Sequence, residues 1–326
     1  MKPTLIRLFI LAVGLTLTVG TASPAGAQTK LLLGTSQPGG ATFEVGTAMG
    51  KVITDNSGGK LSVSASITGG STANIRTLQK KSKTQAFRMG MATAPAVSWG
   101  QTGKKPFKKP QDVLALIALY PLTTLYATYK NSGIKKWSDL EGKRFVVGGR
   151  GGSIYIMTQI ALRYSGMFKK VKREFFTNPQ NTAAIKDSRV DAGFFFLNAG
   201  VPAPVYMDLA QTLKGKLHFF GPPEATIKKM AETEAGVVLD VVTPGSIPGH
   251  DKPVVTWGQM WTLMTNSKMS NENAYLVVKT LMENHKQIRK YHPIGKHINP
   301  QNALRGLKKI KIHPGSIRYW KEKGRM

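Results

Sequence analysis

Two long apolar stretches constrain this chain most. Leu114 to Tyr129 and Val254 to Met264 interrupt an otherwise regular alternation of short strands and helices. Strand–helix–strand alternation is the pattern of a parallel sheet covered by helices. Leu114 to Tyr129 is too long for one ordinary strand and contains Pro121, which should end the strand or confine it to an edge. A connection that leaves one sheet and enters another has this composition. Two crossings imply one lobe built from both ends of the chain and one from its middle. The expected division is residues 28–122 with 258–326, and residues 123–257. A length of 326 residues is enough for two domains of ordinary size.

The alternation can be followed residue by residue. Lys30 to Thr35 reads as a buried strand, and a helix opens at Gly39 to Phe43 with Phe43, Val45, Ala48, Met49 and Val52 at helical spacing. Lys60 to Ile67 alternates with period two, Gly69-Gly70-Ser71 opens a helix, and Met89 to Ala92 is a short strand. Beyond the first crossing, Arg144 to Gly148 is a strand and Ser153 to Tyr164 a helix that Gly166 can terminate. A strand is expected to start at Phe175, with Thr182 to Lys186 helical, Ala192 to Phe196 a strand, Val205 to Leu213 a helix, and His218 to Phe220 a strand. One amphipathic helix is expected from Asn271 to about Tyr291.

The N-terminus reads as a secretory leader. Lys2 and Arg7 precede an apolar run, Leu8 to Val19, that is short for a bilayer, and Ala25 and Ala27 occupy the positions a signal peptidase reads. Cleavage is expected after Ala27, leaving a protein that works outside the cytoplasm, in the periplasm. Cysteine is absent, which excludes disulfides, thiol catalysis, cysteine–metal sites and a lipid anchor on an N-terminal cysteine. The net charge of +29 admits three readings: a nucleic-acid surface, a face for anionic lipid, or a solvated basic surface that steers anions. Export and the lack of a nucleic-acid motif speak against the first, and charge runs are usually solvated faces.

Three glycine-rich turns each join a strand to a helix: Gly34 to Gly40, Thr68 to Thr72, and Gly148 to Ser153. Glycines let backbone N–H groups approach a ligand, and a helix N-terminus adds free donors and the positive end of its dipole. A single such turn is usually only a turn, but three at equivalent strand ends would face one crevice and bind a carboxylate or phosphate. None is a Walker loop. The six histidines lack metal-site spacing, no Gly-x-Ser-x-Gly elbow exists, and the adjacent His250 and Asp251 are poorly spaced for a triad. No catalytic group, cofactor or metal is expected.

The succession of motifs resembles one family, the TAXI-type solute receptors of TRAP transporters. Gly34 to Phe43 matches its Gly-Thr-x-x-x-Gly-Gly-x-Tyr/Phe loop, and Thr68 to Asn74 matches its Thr/Ser-Gly-Gly-Ser-x-x-Asn. Leu119-Tyr120-Pro121, Ser132 to Arg144, Asp191 to Pro204 and His313 to Tyr319 follow in the same order. The resemblance implies an α/β, two-lobed type II periplasmic-binding-protein fold, with two mixed sheets flanked by helices and a ligand cleft between. It implies a small anionic solute, such as an amino acid or dicarboxylate, handed by a monomer to integral-membrane transporter subunits driven by an ion gradient. The chain departs from the family at Arg150 in the third loop, at Phe43 where tyrosine is frequent, and at Ala73 where an acid is common. The candidate ligand-binding residues are Ser36, Gly39, Gly40, Thr42, Phe43, Gly70, Ser71, Thr93, Tyr120, Arg150, Gly152, Ser153, Phe196 and Asn198. An exported module feeding a signalling partner is the alternative reading. An enzyme on the same fold is a third, disfavoured for want of catalytic groups.

Overall fold

The computed structural model describes residues 28–36, 41–80, 87–150 and 152–326. The expected leader, residues 1–27, lies outside them. The first unit is β1 (Thr29–Gly34), α1 (Thr42–Asn56), β2 (Leu61–Ser66), α2 (Ser71–Leu78) and β3 (Phe87–Thr93). β1 pairs in parallel with β2 on one side and β3 on the other, as strand–helix alternation requires. α1 turns Val45, Met49, Val52 and Ile53 inward at helical spacing. α3 (Ala94–Thr102) follows β3 directly, with Pro95 in its first turn, where a missing N–H costs nothing.

β4 (Leu114–Tyr129) is one continuous strand of 16 residues. The sequence reading expected Pro121 to end it or hold it at an edge; it does neither. Pro121 lies opposite Met260 of β11 (Val254–Thr265), and the next paired residues are Ala118 and Thr262. Two residues of β4 therefore face Trp261 alone. This bulge sits where proline has no N–H to give the ladder, so the strand absorbs the missing donor and continues. The Pro121 carbonyl still accepts from the Ala199 N–H at 2.8 Å.

The middle of the chain forms β5 (Arg144–Val146), α4 (Ser153–Tyr164), β6 (Lys172–Glu174), α5 (Asn178–Lys186), β7 (Gly193–Asn198), β8 (Val201–Pro202), α6 (Pro204–Thr212), β9 (Leu217–Phe220), α7 (Glu224–Thr233) and β10 (Val237–Val242). The strand expected to start at Phe175 instead ends one residue before it. α3, α7 and β10 are elements the sequence reading did not anticipate. After β11 come α8 (Asn271–Glu283), α9 (His285–Tyr291) and α10 (Pro314–Glu322). The single helix expected to about Tyr291 breaks at Asn284, whose side-chain amide bonds back to the Thr280 carbonyl at 3.0 Å while its own carbonyl accepts from Gln287 N–H. Asparagine competes for backbone partners in this way and starts a new helix.

The sheet runs β2-β1-β3-β11-β4-β7-β8, with β10 added on β11 and β9 on β4; β5 and β6 pair separately in parallel. The fold is mixed α/β and two-lobed, and the two sheets expected from sequence are joined through β4 and β11. The late part of β11 pairs with β3 and the early part with β10. β4 pairs with β11 over its first two-thirds and with β7 and β9 over its end. One continuous core joins Leu33, Met49, Ile53 and Trp99 to an aromatic part, with Tyr126 against Trp137 at 4.9 Å and Phe195 against Tyr206 at 4.7 Å.

Candidate functional site

A cavity of about 340 Å³ opens where β4 and β11 pass from one half of the sheet to the other. All three glycine-rich turns reach it: Ser36 from the first, with Thr42 at the start of the helix it leads into, Gly69, Gly70 and Ser71 from the second, and Gly148, Gly149, Arg150, Gly152 and Ser153 from the third.

Asn74 holds the first two turns together. Its buried side-chain amide donates to the carbonyls of Gly34, Thr35 and Met91 at 3.2, 2.7 and 2.8 Å. The side chain lies over two glycines: a Cβ at Gly34 would meet Asn74 Oδ1 at 2.6 Å, and one at Gly90 would meet Asn74 Cβ at 3.1 Å. Thr35 adds its hydroxyl to the Ser66 carbonyl at 2.8 Å, and Thr68 adds its own to the Thr35 carbonyl at 3.0 Å. Gly70, at φ +87°, occupies the position before α2, a conformation other residues rarely adopt. Ser71 Oγ accepts from the Thr93 N–H at 3.1 Å and keeps its proton to donate.

The third turn is built around Gly148, at φ +104°, where a Cβ would come within 2.9 Å of the Tyr155 backbone nitrogen. Arg150 lies within this turn, between Gly149 and Gly152, whose backbones bond at 3.1 Å, and its guanidinium is 3.9 Å from the centre of the Phe175 ring. Tyr155 packs edge-on against the same ring at 5.9 Å. A cation on an aromatic face is held without a carboxylate partner, so its charge stays available to the cavity. Ser153 begins α4, and the Gln259 amide of β11 reaches toward its Oγ at 3.5 Å.

α1, α2 and α4 all start at this cavity, and their N-cap residues, Ala41, Gly70 and Gly152, make no side-chain hydrogen bond into the first turn. Their first-turn N–H groups and dipole ends favour an anion. By contrast α5, whose start also reaches the cavity through Thr177 and Asn178, satisfies its own donors through a Thr177–Gln180 capping box. β7 presents Phe194, Phe196 and Asn198 on one face, as period two dictates. The Trp261 indole N–H donates to Asn198 Oδ1 at 3.3 Å, which leaves the amide N–H groups of Asn198 as the part offered to a ligand. Leu122 and Trp261, from the two crossing strands, complete the wall.

Of the fourteen residues expected from sequence, Ser36, Thr42, Gly70, Ser71, Arg150, Gly152, Ser153, Phe196 and Asn198 come together here. Phe43, Thr93 and Tyr120 are not among the lining residues. Thr93 instead orients Ser71 through its backbone. Tyr120 is buried behind Trp261, 6.4 Å between ring centres; burial pushes its phenol above the ordinary value, and the Thr42 hydroxyl beside it partly offsets this. Gly39 and Gly40 lie outside the described residues. Leu122, Ile154, Tyr155, Phe175, Thr177, Asn178, Phe194 and Trp261 were not anticipated. The period-two run of β7 could have indicated Phe194, but nothing in the largely apolar crossing strand singles out Trp261.

Among the described residues no group of three or more histidine, aspartate or glutamate side chains comes together that could hold a metal ion. His250, the candidate beside Asp251, is buried with its ring edge-on to Phe219 at 5.5 Å, and burial lowers its pKa. It is not among the cavity residues. No helix of the described residues is long and apolar enough to cross a membrane.

Residues 33–324 match the NMT1-like family. No curated protein matches the chain in sequence. Among solved structures, the periplasmic aliphatic sulphonate binding protein SsuA of Escherichia coli is 13% identical, with a TM-score of 0.51 over 90% of this chain and 82% of that one. A Xanthomonas citri protein bound to chloride ion is 11% identical, with a TM-score of 0.53 over 90% and 95%. A putative L-cystine ABC transporter protein from Listeria monocytogenes is 12% identical, with a TM-score of 0.50 over 86% and 99%. At these identities the likeness is one of fold.

Proposed function

The chain belongs to the NMT1-like family, and from that premise we propose that it is an exported solute receptor that closes on a small organic anion and delivers it to a membrane transporter. The convergence of three uncapped helix starts and Arg150 on one cavity carries this reading. Proteins of the same fold include one that binds aliphatic sulphonates, and a sulphonate is an organic anion. The ordered motifs from Gly34 to Tyr319 favour a TRAP-type partner of the TAXI class, driven by an ion gradient. The leader over residues 1–27 would place the mature protein in the periplasm.

In this reading, residues 28–122 with 258–326 form one lobe and residues 123–257 the other, and β4 and β11 are the flexing connection. Hinge closure in such proteins is absorbed at a few element positions. The bulge beside Pro121 offers one, because its ladder is already interrupted. Bound anion would bridge the α1 and α2 starts on one side and the α4 start with Arg150 on the other, so closure and binding would be one event.

The test is direct. Mature protein is screened against small organic acids by thermal shift, and small-angle scattering is recorded with and without the best binder. A saturating ligand should reduce the radius of gyration. An unchanged radius would remove closure from the mechanism. Uptake by membrane vesicles carrying the transporter should then follow an imposed ion gradient without ATP; uptake that needs ATP would replace the TRAP assignment with an ABC one.

A further inference from the structure

Resting on that receptor reading, we propose that the ligand is a monoanion that carries no ammonium group, and that its body is apolar. The signature is what faces the cavity. Arg150 is its charged residue, and no aspartate or glutamate is among the described lining residues. The parts of the glycine turns outside the described residues, 37–40 and 151, read Gln-Pro-Gly-Gly and Gly, so they add no acid. Glu44, in the first turn of α1, is exposed and is not a lining residue.

An α-amino acid needs both ends satisfied. Its carboxylate would suit the three helix starts, but its ammonium would sit among those same positive ends and a guanidinium, with no carboxylate opposite. A buried charge without a partner is strongly disfavoured. Leu122, Phe194, Phe196 and Trp261 make a broad apolar and aromatic part of the wall, beside the neutral polar Thr177, Asn178 and Asn198. Such a wall rewards an alkyl or aryl body and leaves a second carboxylate without the fork a second arginine would supply.

Three matched pairs of acids, differing only in the ammonium group, decide the class: 3-phenylpropanoate against L-phenylalanine, 4-methylpentanoate against L-leucine, and glutarate against L-glutamate. Titration calorimetry on the mature protein should show each amine-free monoacid binding at least about tenfold more tightly than its amino acid, and more tightly than glutarate. An amino acid that equals or exceeds its amine-free partner overturns the proposal and leaves the receptor reading intact. Silence from all six acids also overturns this ligand class, while closure with some other solute would still uphold the receptor. A second arm supplies the missing charge. Asn198→Asp keeps the acceptor for the Trp261 indole N–H and adds a carboxylate to the wall. The ratio of amino-acid to amine-free affinity should rise by roughly tenfold or more in this variant. A ratio that does not move means that charge complementarity at this wall does not set the choice, and overturns the proposal.

Discussion

Two residues concentrate the consequences of this site. Asn74 answers three carbonyls from two segments, so Asn74→Ala takes a buried donor from Gly34 and Met91 and leaves Thr35 with the Thr68 hydroxyl. The expected loss is about 2–4 kcal/mol of unfolding free energy, the sum of hydrogen bonds removed and carbonyls left unpaired, read by urea denaturation. Asn74→Asp should be worse still, since it turns a carboxylate toward those carbonyls. Arg150 belongs to function instead. Its stacking on Phe175 leaves the guanidinium fork to grip an anion. Arg150→Ala should weaken binding of an organic acid by about 1.5–3 kcal/mol, and Arg150→Lys should recover part of it. Calorimetry on the three proteins with one binding acid checks both, and an alanine variant that binds like wild type would return Arg150 to the solvated surface.

At the scale of elements, α10 is tied to the protonation of His313. The ring is buried at the helix start; its Nδ1 accepts from the Gly315 N–H at 3.1 Å and its Nε2 donates to the Met269 carbonyl at 3.1 Å. Those two partners fix the neutral tautomer. Burial lowers its pKa below the ordinary 6.5, outweighing the Met269 carbonyl and nearby Asp112, which act the other way. A group held below its unfolded value leaves stability complete above about pH 6.5 and removes it as the pH falls through the folded value. His250, His292 and His297 shift in the same direction, chiefly by burial. The melting temperature should therefore be flat from about pH 8 to 7 and fall below about 6.5. His313→Asn can still accept from Gly315 but loses the Met269 bond, so it should cost about 1 kcal/mol at pH 8 and show a shallower acid decline. Thermal melts across that range check it.

Legibility in the sequence follows the same scale. The glycine turns could be read because each couples a strand end to a helix start, and the structure brings all three to one cavity. β4 was misjudged because proline preference is a local rule, whereas the bulge opposite Trp261 is set by the neighbouring strand. α7 and β10 went unread because their patterns are weak: α7 buries only Thr226, Ile227 and Met230, and β10 leaves Leu239 and Val241 exposed on an edge. Phe43 stands beside Thr42 in the chain, but it does not line the cavity, and Thr93 and Tyr120 are buried without lining it either. Which of two neighbours faces a cleft is decided by packing between elements, and no periodicity in an apolar run encodes it.

For the whole molecule, the dominant fact outside the cavity is a net charge of +29. Exposed lysines and arginines far outnumber the acids available to pair with them. Such a field raises the encounter rate of anions with a cleft and fades once salt shortens its reach to about 8–10 Å and below. Raising ionic strength about tenfold should slow association of an anionic ligand by roughly an order of magnitude, with dissociation little changed. Stopped-flow measurements of both rates check this. A dissociation rate that carries the salt effect would place it in the cavity instead of the surface.

β11 also sets a timetable. It lies between β3 and β4 and is antiparallel to both, yet it comes from residues 254–265, long after its neighbours in the order of synthesis. Until it arrives, those two strands flank a gap one strand wide, and the ribbon joining the lobes has only one of its two members. A growing or threading chain can curl its early strands and helices together but cannot finish either lobe. Pairings this distant in sequence are slow to form. The polypeptide therefore stays pliable while its tail is still being made, as the proposed export through a narrow pore would require.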